Sequence, residues 1–254
     1  MPTTSPLDTV VGLFDSYSRV ARLYPSVIAL APILWSGVAL FPSLLESASQ
    51  SIAFVIGSAC LLFFFTSITR SLGKRTEARL LRQQGGWHTT MLLRHRDATL
   101  DGTTKERYHR ALEVMCACAL PTLKQEQTNP ADADAIYRSA TKKLIEQRRG
   151  AEYVLLHAEN ASYGFRRNLY GLKPVALIET VIVILLTLFG WWLITPQPYT
   201  RLVIAQSVIS YPHFLVLVGL DLGYLFLWLW AVTPDFVAQA GREYAEALLR
   251  TLDA

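Results

Sequence analysis

Cysteine is scarce in this chain, and its three cysteines are poorly placed for cross-linking. Cys60 lies inside a long apolar run, and Cys116 and Cys118 form a lone C-x-C in a basic stretch. Disulfide scaffolds and zinc sites need paired spacings, so these three read as small apolar residues. The sequence also has no G-x-S-x-G, Walker A, GxGxxG or paired zinc-ligand pattern. Nothing in it calls for a cofactor or a metal, and no motif argues for an enzyme. Charge is thin: 17% of residues are Asp, Glu, Lys or Arg, against about 25% in ordinary soluble domains. No period-two alternation runs for long, which leaves an all-α reading. No cationic leader precedes the first apolar run, so no cleaved signal peptide is expected.

What the chain does have is four apolar runs, near residues 26–45, 52–71, 175–194 and 208–232. Each is long enough for a helix to cross a hydrocarbon core about 30 Å thick. Lipid favours helices because every backbone polar group must find its partner within the segment. Charge is placed unevenly between the runs. Residues 70–173 hold 19 of the 24 Lys and Arg but only 11 of the 20 Asp and Glu. The short links at 41–51 and 195–207 contain a single cation, Arg201. The positive-inside rule therefore predicts a membrane protein with both termini and the middle segment in the cytoplasm. The expected plan is an all-α polytopic protein with two transmembrane hairpins flanking a cytoplasmic helical domain. Residues 1–71 would hold an interfacial helix and the first hairpin, and 72–174 the cytoplasmic domain. Residues 175–254 would hold the second hairpin and a C-terminal helix.

Local signals fill in that plan. Ser5, Pro6 and Asp8 mark a helix start that leads to Tyr24. Pro32 and Gly37 predict a kink in the first span. Gly85-Gly86 should stop a helix that continues from the second span. Thr103-x-x-Glu106 predicts a capping box opening a helix to about Leu120, and 131–150 reads as a second helix with acids first and bases last. Trp191, Trp192, Trp228 and Trp230 fit interfacial belts.

The stretch before the third span, 159–174, gathers Tyr163, Phe165, Arg166, Arg167 and Lys173, with Gly164 and Gly171 between them. These are the residue types that a membrane–water boundary selects. The stretch is read as a contact with membrane lipid, and as an elbow in which the glycines permit turns. Arg94, Arg96, Arg107 and Arg110 are candidates for anion binding, since guanidinium pairs phosphates bidentately. Lipid headgroups, an anionic small ligand and a protein partner all fit that patch, with nucleic acid less favoured. Asp221 stands near the middle of the fourth span, where an ionised carboxylate costs roughly 2.5–3.5 kcal/mol even on insertion scales. It could bond to a hydroxyl on an adjacent span (Ser36, Ser58 or Thr187), join subunits of a homo-oligomer, or relay protons. Glu179 lies one turn into the third span, within reach of the interface or of Lys173.

Two resemblances follow from these residues. The run GGWHTTMLLRHRD…TKERYHRAL…ADADAIYRSA…ENASYGFRRNLYGLKP resembles a group of bacterial four-span membrane proteins with no assigned activity. The plan of two hairpins around a cytoplasmic domain is similar to small membrane effectors of bacterial anti-phage systems, which implies an oligomeric module acting on the membrane. Arg82-x5-His88 is similar to the R-x(4–6)-H motif of HEPN ribonucleases, but it lies across the Gly85-Gly86 break rather than at a helix start. The alternatives are thus a transporter or channel subunit using Asp221 and a membrane-anchored ribonuclease.

Overall fold

The computed structural model describes residues 16–253, so the helix start expected at Ser5–Asp8 lies outside the described residues. Among the described residues there are helices and no strands. In chain order they are α1 (Ser16–Leu40), α2 (Ala48–Gln84), α3 (His88–Leu93), α4 (Gly102–Cys116), α5 (Leu123–Thr128), α6 (Pro130–Gln147), α7 (Val154–Ile194), α8 (Arg201–Ser210), α9 (Pro212–Trp230) and α10 (Pro234–Arg250). Four of them, α1, α2, α7 and α9, are long and apolar enough to cross a membrane. The chain divides into two compact units, and α2 and α7 each contribute residues to both.

The apolar unit comprises 1–75 and 165–233. The segment expected to lie separately on an interface, as far as Tyr24, is continuous with the first span from Ser16 onward. Pro25 does not end it. A π turn at Arg19–Leu23 precedes the proline, and the Tyr24 N–H reaches back to Arg19 O. The fourth span starts at Pro212 rather than at Val208, and the link before it holds a further helix, α8. Pro212 cannot donate to the ladder, so α8 closes on Tyr211 N–H to Ser207 O and α9 starts afresh. Thr200 caps α8 by accepting from Val203 N–H.

The second unit comprises 76–164 and 234–254. It gathers the C-terminal helix, which the sequence grouped with the second hairpin. Its core is Leu93, Leu112, Tyr137, Leu144 and Leu248, all fully buried and drawn from α3, α4, α6 and α10. The Gly85-Gly86 stop is as expected. Both residues have positive φ (86° and 130°), and Gly86 N–H bonds to Leu81 O as in a Schellman closure. The start of α4 moves upstream. Asp101, not Thr103, caps it, accepting from Thr104 N–H at 2.8 Å. It ends at Cys116 because Ala117 turns left-handed, and the Leu120 N–H is taken by the Glu113 side chain.

Candidate functional site

The site begins with a problem that α1 sets itself. Pro25 and Pro32 lack N–H groups, so the carbonyls four residues earlier, on Ala21 and Ile28, lose their helical donors. In a membrane span an unsatisfied carbonyl costs several kcal/mol. Side chains from other helices of the apolar unit supply both. Asn168 Nδ2 donates to Ala21 O at 2.5 Å, and the Tyr224 hydroxyl donates to Ile28 O. The N–H of Ile33, next after Pro32, donates to Glu179 Oε1 at 3.1 Å. Two residues further on, Trp35 Nε1 donates to Asp221 Oδ1 at 2.9 Å. Ser26 and Thr69 hydroxyls meet at 2.9 Å. The result is a seam of polar contacts along α1, tied to α2, α7 and α9 within one chain.

Asp221 is fully buried, and its sequence-expected partners are corrected. The bond goes to the indole of Trp35 rather than to Ser36, Ser58 or Thr187. Its second oxygen, Oδ2, is buried without a hydrogen-bond partner. Glu179 accepts from the Ile33 N–H and is not paired with Lys173. Lys173 instead donates to Val232 O at 2.7 Å and Leu229 O at 3.4 Å, just past the C-terminus of α9, where a cation complements the helix dipole. Trp228, expected at the interface, is buried at 2%, edge-on to Tyr224, while Trp230 is exposed.

The expected elbow is helical throughout. Residues 163–174 lie wholly inside α7, and neither Gly164 nor Gly171 makes a turn. Gly171 is needed for proximity. A Cβ there would come within 2.7 Å of Gly73 N, and one at Gly73 would collide with Asn168. The two glycines let α2 and α7 approach backbone to backbone, the packing that small residues give in membranes. Arg167 Nε donates to the Asn168 side chain at 3.2 Å, and the Tyr163 hydroxyl to Glu77 at 2.7 Å.

In the second unit the four candidate anion-binding arginines face four different carboxylates. Arg94 pairs bidentately with Asp134 (2.9 and 2.6 Å) and also donates to Gly85 O at 2.7 Å. Arg96 lies 3.9 Å from Glu126, Arg107 pairs with Asp253 at 2.6 Å, and Arg110 with Glu106 at 3.6 Å. The polar centre that sequence reading missed is Glu126, 2% exposed. It accepts from His95 N–H, Arg96 N–H and the Tyr137 hydroxyl. Burial alone would push its carboxyl up, but these bonds hold it below the usual carboxylate value. Lys105 donates to the carbonyls of Arg94 and Asp97, and burial pulls its ammonium down. No pattern in the sequence marked Glu126, because its partners come from loops and helices scattered along the chain.

Arg82 and His88 are not brought into one site. Arg82 donates to Ala78 O of its own helix, and His88 is buried against Gly241, where any Cβ would strike its ring. Among the described residues no group of three His, Cys, Asp or Glu side chains is placed to hold a metal ion. No known protein family, curated protein or solved structure matches this chain.

Proposed function

We propose that this protein is a non-enzymatic membrane module in which the polar unit receives a signal and the apolar unit acts on the bilayer. In this reading the apolar helices form two hairpins in a bacterial inner membrane, with the polar unit and both termini in the cytoplasm. The chain assembles as a homo-oligomer, and its input is a protein partner or an anionic ligand. The output is a pore or a disturbed membrane, as in a defence effector. One observation carries the reading: α2 and α7 run unbroken through residues of both units and meet at Gly73 and Gly171. A rigid helix transmits a displacement that a flexible linker would absorb. Arg166, Arg167, Tyr163 and Phe165 then lie at the level of the headgroups.

The test is a two-glycine insertion between Gly164 and Phe165, which interrupts α7 where the two units divide. The parent protein, reconstituted in liposomes of anionic phospholipid or overproduced in cells, should release trapped dye or depolarise the membrane. The insertion variant should fold and insert but lose that effect. Equal activity in both would remove the coupling, and a parent inert toward membranes in both assays would remove the output.

A second reading, a transporter or channel subunit working through Asp221, draws on its unpartnered Oδ2. It requires ion flux that depends on the carboxylate itself.

A further inference from the structure

Past its apolar stretch, α2 carries Arg70, Lys74, Arg75, Arg79 and Arg82, all exposed, and a single carboxylate, Glu77. At about 100° per residue, the five cations fill the half of the helix opposite Thr69, Gly73 and Leu80, which are buried. Glu77 is half-buried and accepts from the Tyr163 hydroxyl at 2.7 Å. Among the described residues, none of the five cations is paired with a carboxylate. That sets them apart from Arg94, Arg96, Arg107 and Arg110, each of which faces one. Arg166 and Arg167 on α7 are half-buried, and Arg167 is bonded to Asn168. Arg70 with Lys74, and Arg75 with Arg79, are like charges four residues apart, a spacing that destabilises a bare helix. A bound anion would relieve that repulsion.

Packing inside the apolar unit fixes the depth of the first three. Gly73 lies against Gly171, Asn168 bonds Ala21 O, and Ser26 bonds Thr69, so α2 and α7 run antiparallel with Gly73 level with Gly171. The apolar run of α7 begins at Val175, four residues or about 6 Å further in. Four residues further in on α2 is Thr69, within two residues of the end of its own apolar run. Two boundaries read from separate stretches of sequence thus meet at one level. Outward from Thr69, Arg70 follows at about 1.5 Å, Lys74 at about 8 Å and Arg75 at about 9 Å of helix rise. The polar headgroup layer is about 5–8 Å thick on each side, and long cationic side chains lean back into it.

We infer that Arg70, Lys74 and Arg75 form a binding surface for the phosphate headgroups of anionic phospholipid. The inference rests on the membrane reading above and adds the class of lipid recognised. Phosphates of the bilayer are already concentrated at that level, and guanidinium takes a phosphate through two parallel hydrogen bonds. Arg79 and Arg82 follow at about 15 and 20 Å of rise. They stand farther out than a Debye length of about 8–10 Å and add little. A soluble polyanion would use those two as much as the inner three, and a second copy of this face would meet its own charge.

The experiment uses the full-length protein in nanodiscs of phosphatidylcholine. Each disc set holds a trace of phosphatidylglycerol or of phosphatidylcholine, labelled with dansyl on the acyl chain, and energy transfer from tryptophan reads the lipid beside the protein. Phosphatidylglycerol should be preferred by about fivefold for each cation it engages, and the preference should shrink in about 1 M salt, where the Debye length is about 3 Å. Arg70→Gln, Lys74→Gln and Arg75→Gln together should remove most of the preference. These positions are exposed and glutamine suits a helix, so circular dichroism should not change. Arg79→Gln with Arg82→Gln should have a smaller effect. Arg138→Gln, Lys142→Gln and Lys143→Gln, at exposed positions of α6, should have none. Insertion into the discs without a preference for phosphatidylglycerol would overturn the inference and leave the membrane reading standing. An α6 variant as damaging as the inner triple would overturn it too, by reducing the effect to net charge. A larger loss from the outer pair, together with tight binding of a labelled oligonucleotide, would give the face to a soluble polyanion. A parent that does not enter the discs at all would remove the membrane reading and the inference with it.

Discussion

The two units of this chain are built with opposite polarity. In the polar unit the fully buried side chains are large and apolar, such as Leu93, Leu112, Leu144 and Leu248, and the charges lie mostly outside. In the apolar unit the most deeply buried side chains include Ser26, Thr69, Thr180, Asp221 and small Ala21 and Ala29, all at 0%. Its large apolar residues face outward, with Ile178 at 63% and Leu193 at 62% exposed. One unit is held by the hydrophobic effect, which needs water outside. The helices of the other are long and apolar enough to cross a membrane, where hiding leucine from lipid would gain nothing and close packing and interhelical hydrogen bonds would hold them.

The sharpest way to break this comparison is one chemical change made in both units. Leu144→Ala should destabilise the protein by about 2–5 kcal/mol, since it leaves a cavity in a filled core. Leu185→Ala, on an exposed position of α7, should cost within about 0.5 kcal/mol. Denaturation in detergent, followed by near-UV circular dichroism, measures both. Similar losses would mean that the outer face of α7 is covered, and the contrast in polarity would fail there.

Acid should separate the units next. Burial holds the His109 imidazole below its ordinary value although its ring bonds Leu93 O, and the bonds to Glu126 hold that carboxyl low. In both cases the folded value lies below the unfolded one, so the unfolded chain takes up the proton first. Stability is therefore intact above about pH 6.5, the ordinary histidine value. It should fall as acid passes through the His109 range, and again below about 4.5 through that of Glu126. Hydrogen exchange should show the polar unit opening while the apolar helices stay protected. Glu126→Gln should cost about 1–3 kcal/mol at neutral pH and remove the lower of the two steps. A surviving lower step would assign it to another carboxylate.

Sequence reading found what depends on local pattern. The four apolar helices, the Gly85-Gly86 stop and α6 were all legible, because length, glycine conformation and capping act within a few residues. The contents of the seam were not. Pro32 foretold a disturbed ladder, but the donor that answers it, Tyr224, lies 196 positions away. Asn168 and Gly171 lie inside the 159–174 stretch, where the sequence reading took Gly171 as permitting a turn and gave Asn168 no role. Their roles, a donor to Ala21 and a close approach to Gly73, exist only once α1, α2 and α7 are packed. Periodicity could have raised one signal: each proline inside a span leaves a carbonyl four residues back, and a polar side chain on another span should answer it.

That logic gives a smaller prediction. Tyr224→Phe leaves Ile28 O without a donor and should cost about 0.6–2 kcal/mol. Pro32→Ala restores a backbone N–H to that carbonyl, so Tyr224→Phe should cost almost nothing in its presence. Pro25→Ala should excuse Asn168→Ala in the same way. Additive losses in these double-mutant cycles, read by thermal unfolding in detergent, would show that the side chains do not answer the prolines.

The smallest effect is expected at Asp221, the residue that looked most unusual in the sequence. Trp35 Nε1 needs only an acceptor, and the amide oxygen of an asparagine sits where Oδ1 sits. Asp221→Asn should therefore leave stability within about 0.5 kcal/mol of the parent. Asp221→Leu removes the acceptor and strands the indole, at about 0.6–2 kcal/mol. Trp35→Phe should remove most of that difference, because the donor is then gone as well. A carboxylate that relays protons or holds a cation would behave otherwise. Asparagine would then abolish ion flux in liposomes as fully as leucine does, with folding untouched in both variants. That result would move Asp221 from the seam's architecture to its chemistry, and would favour the transporter reading over the coupled module.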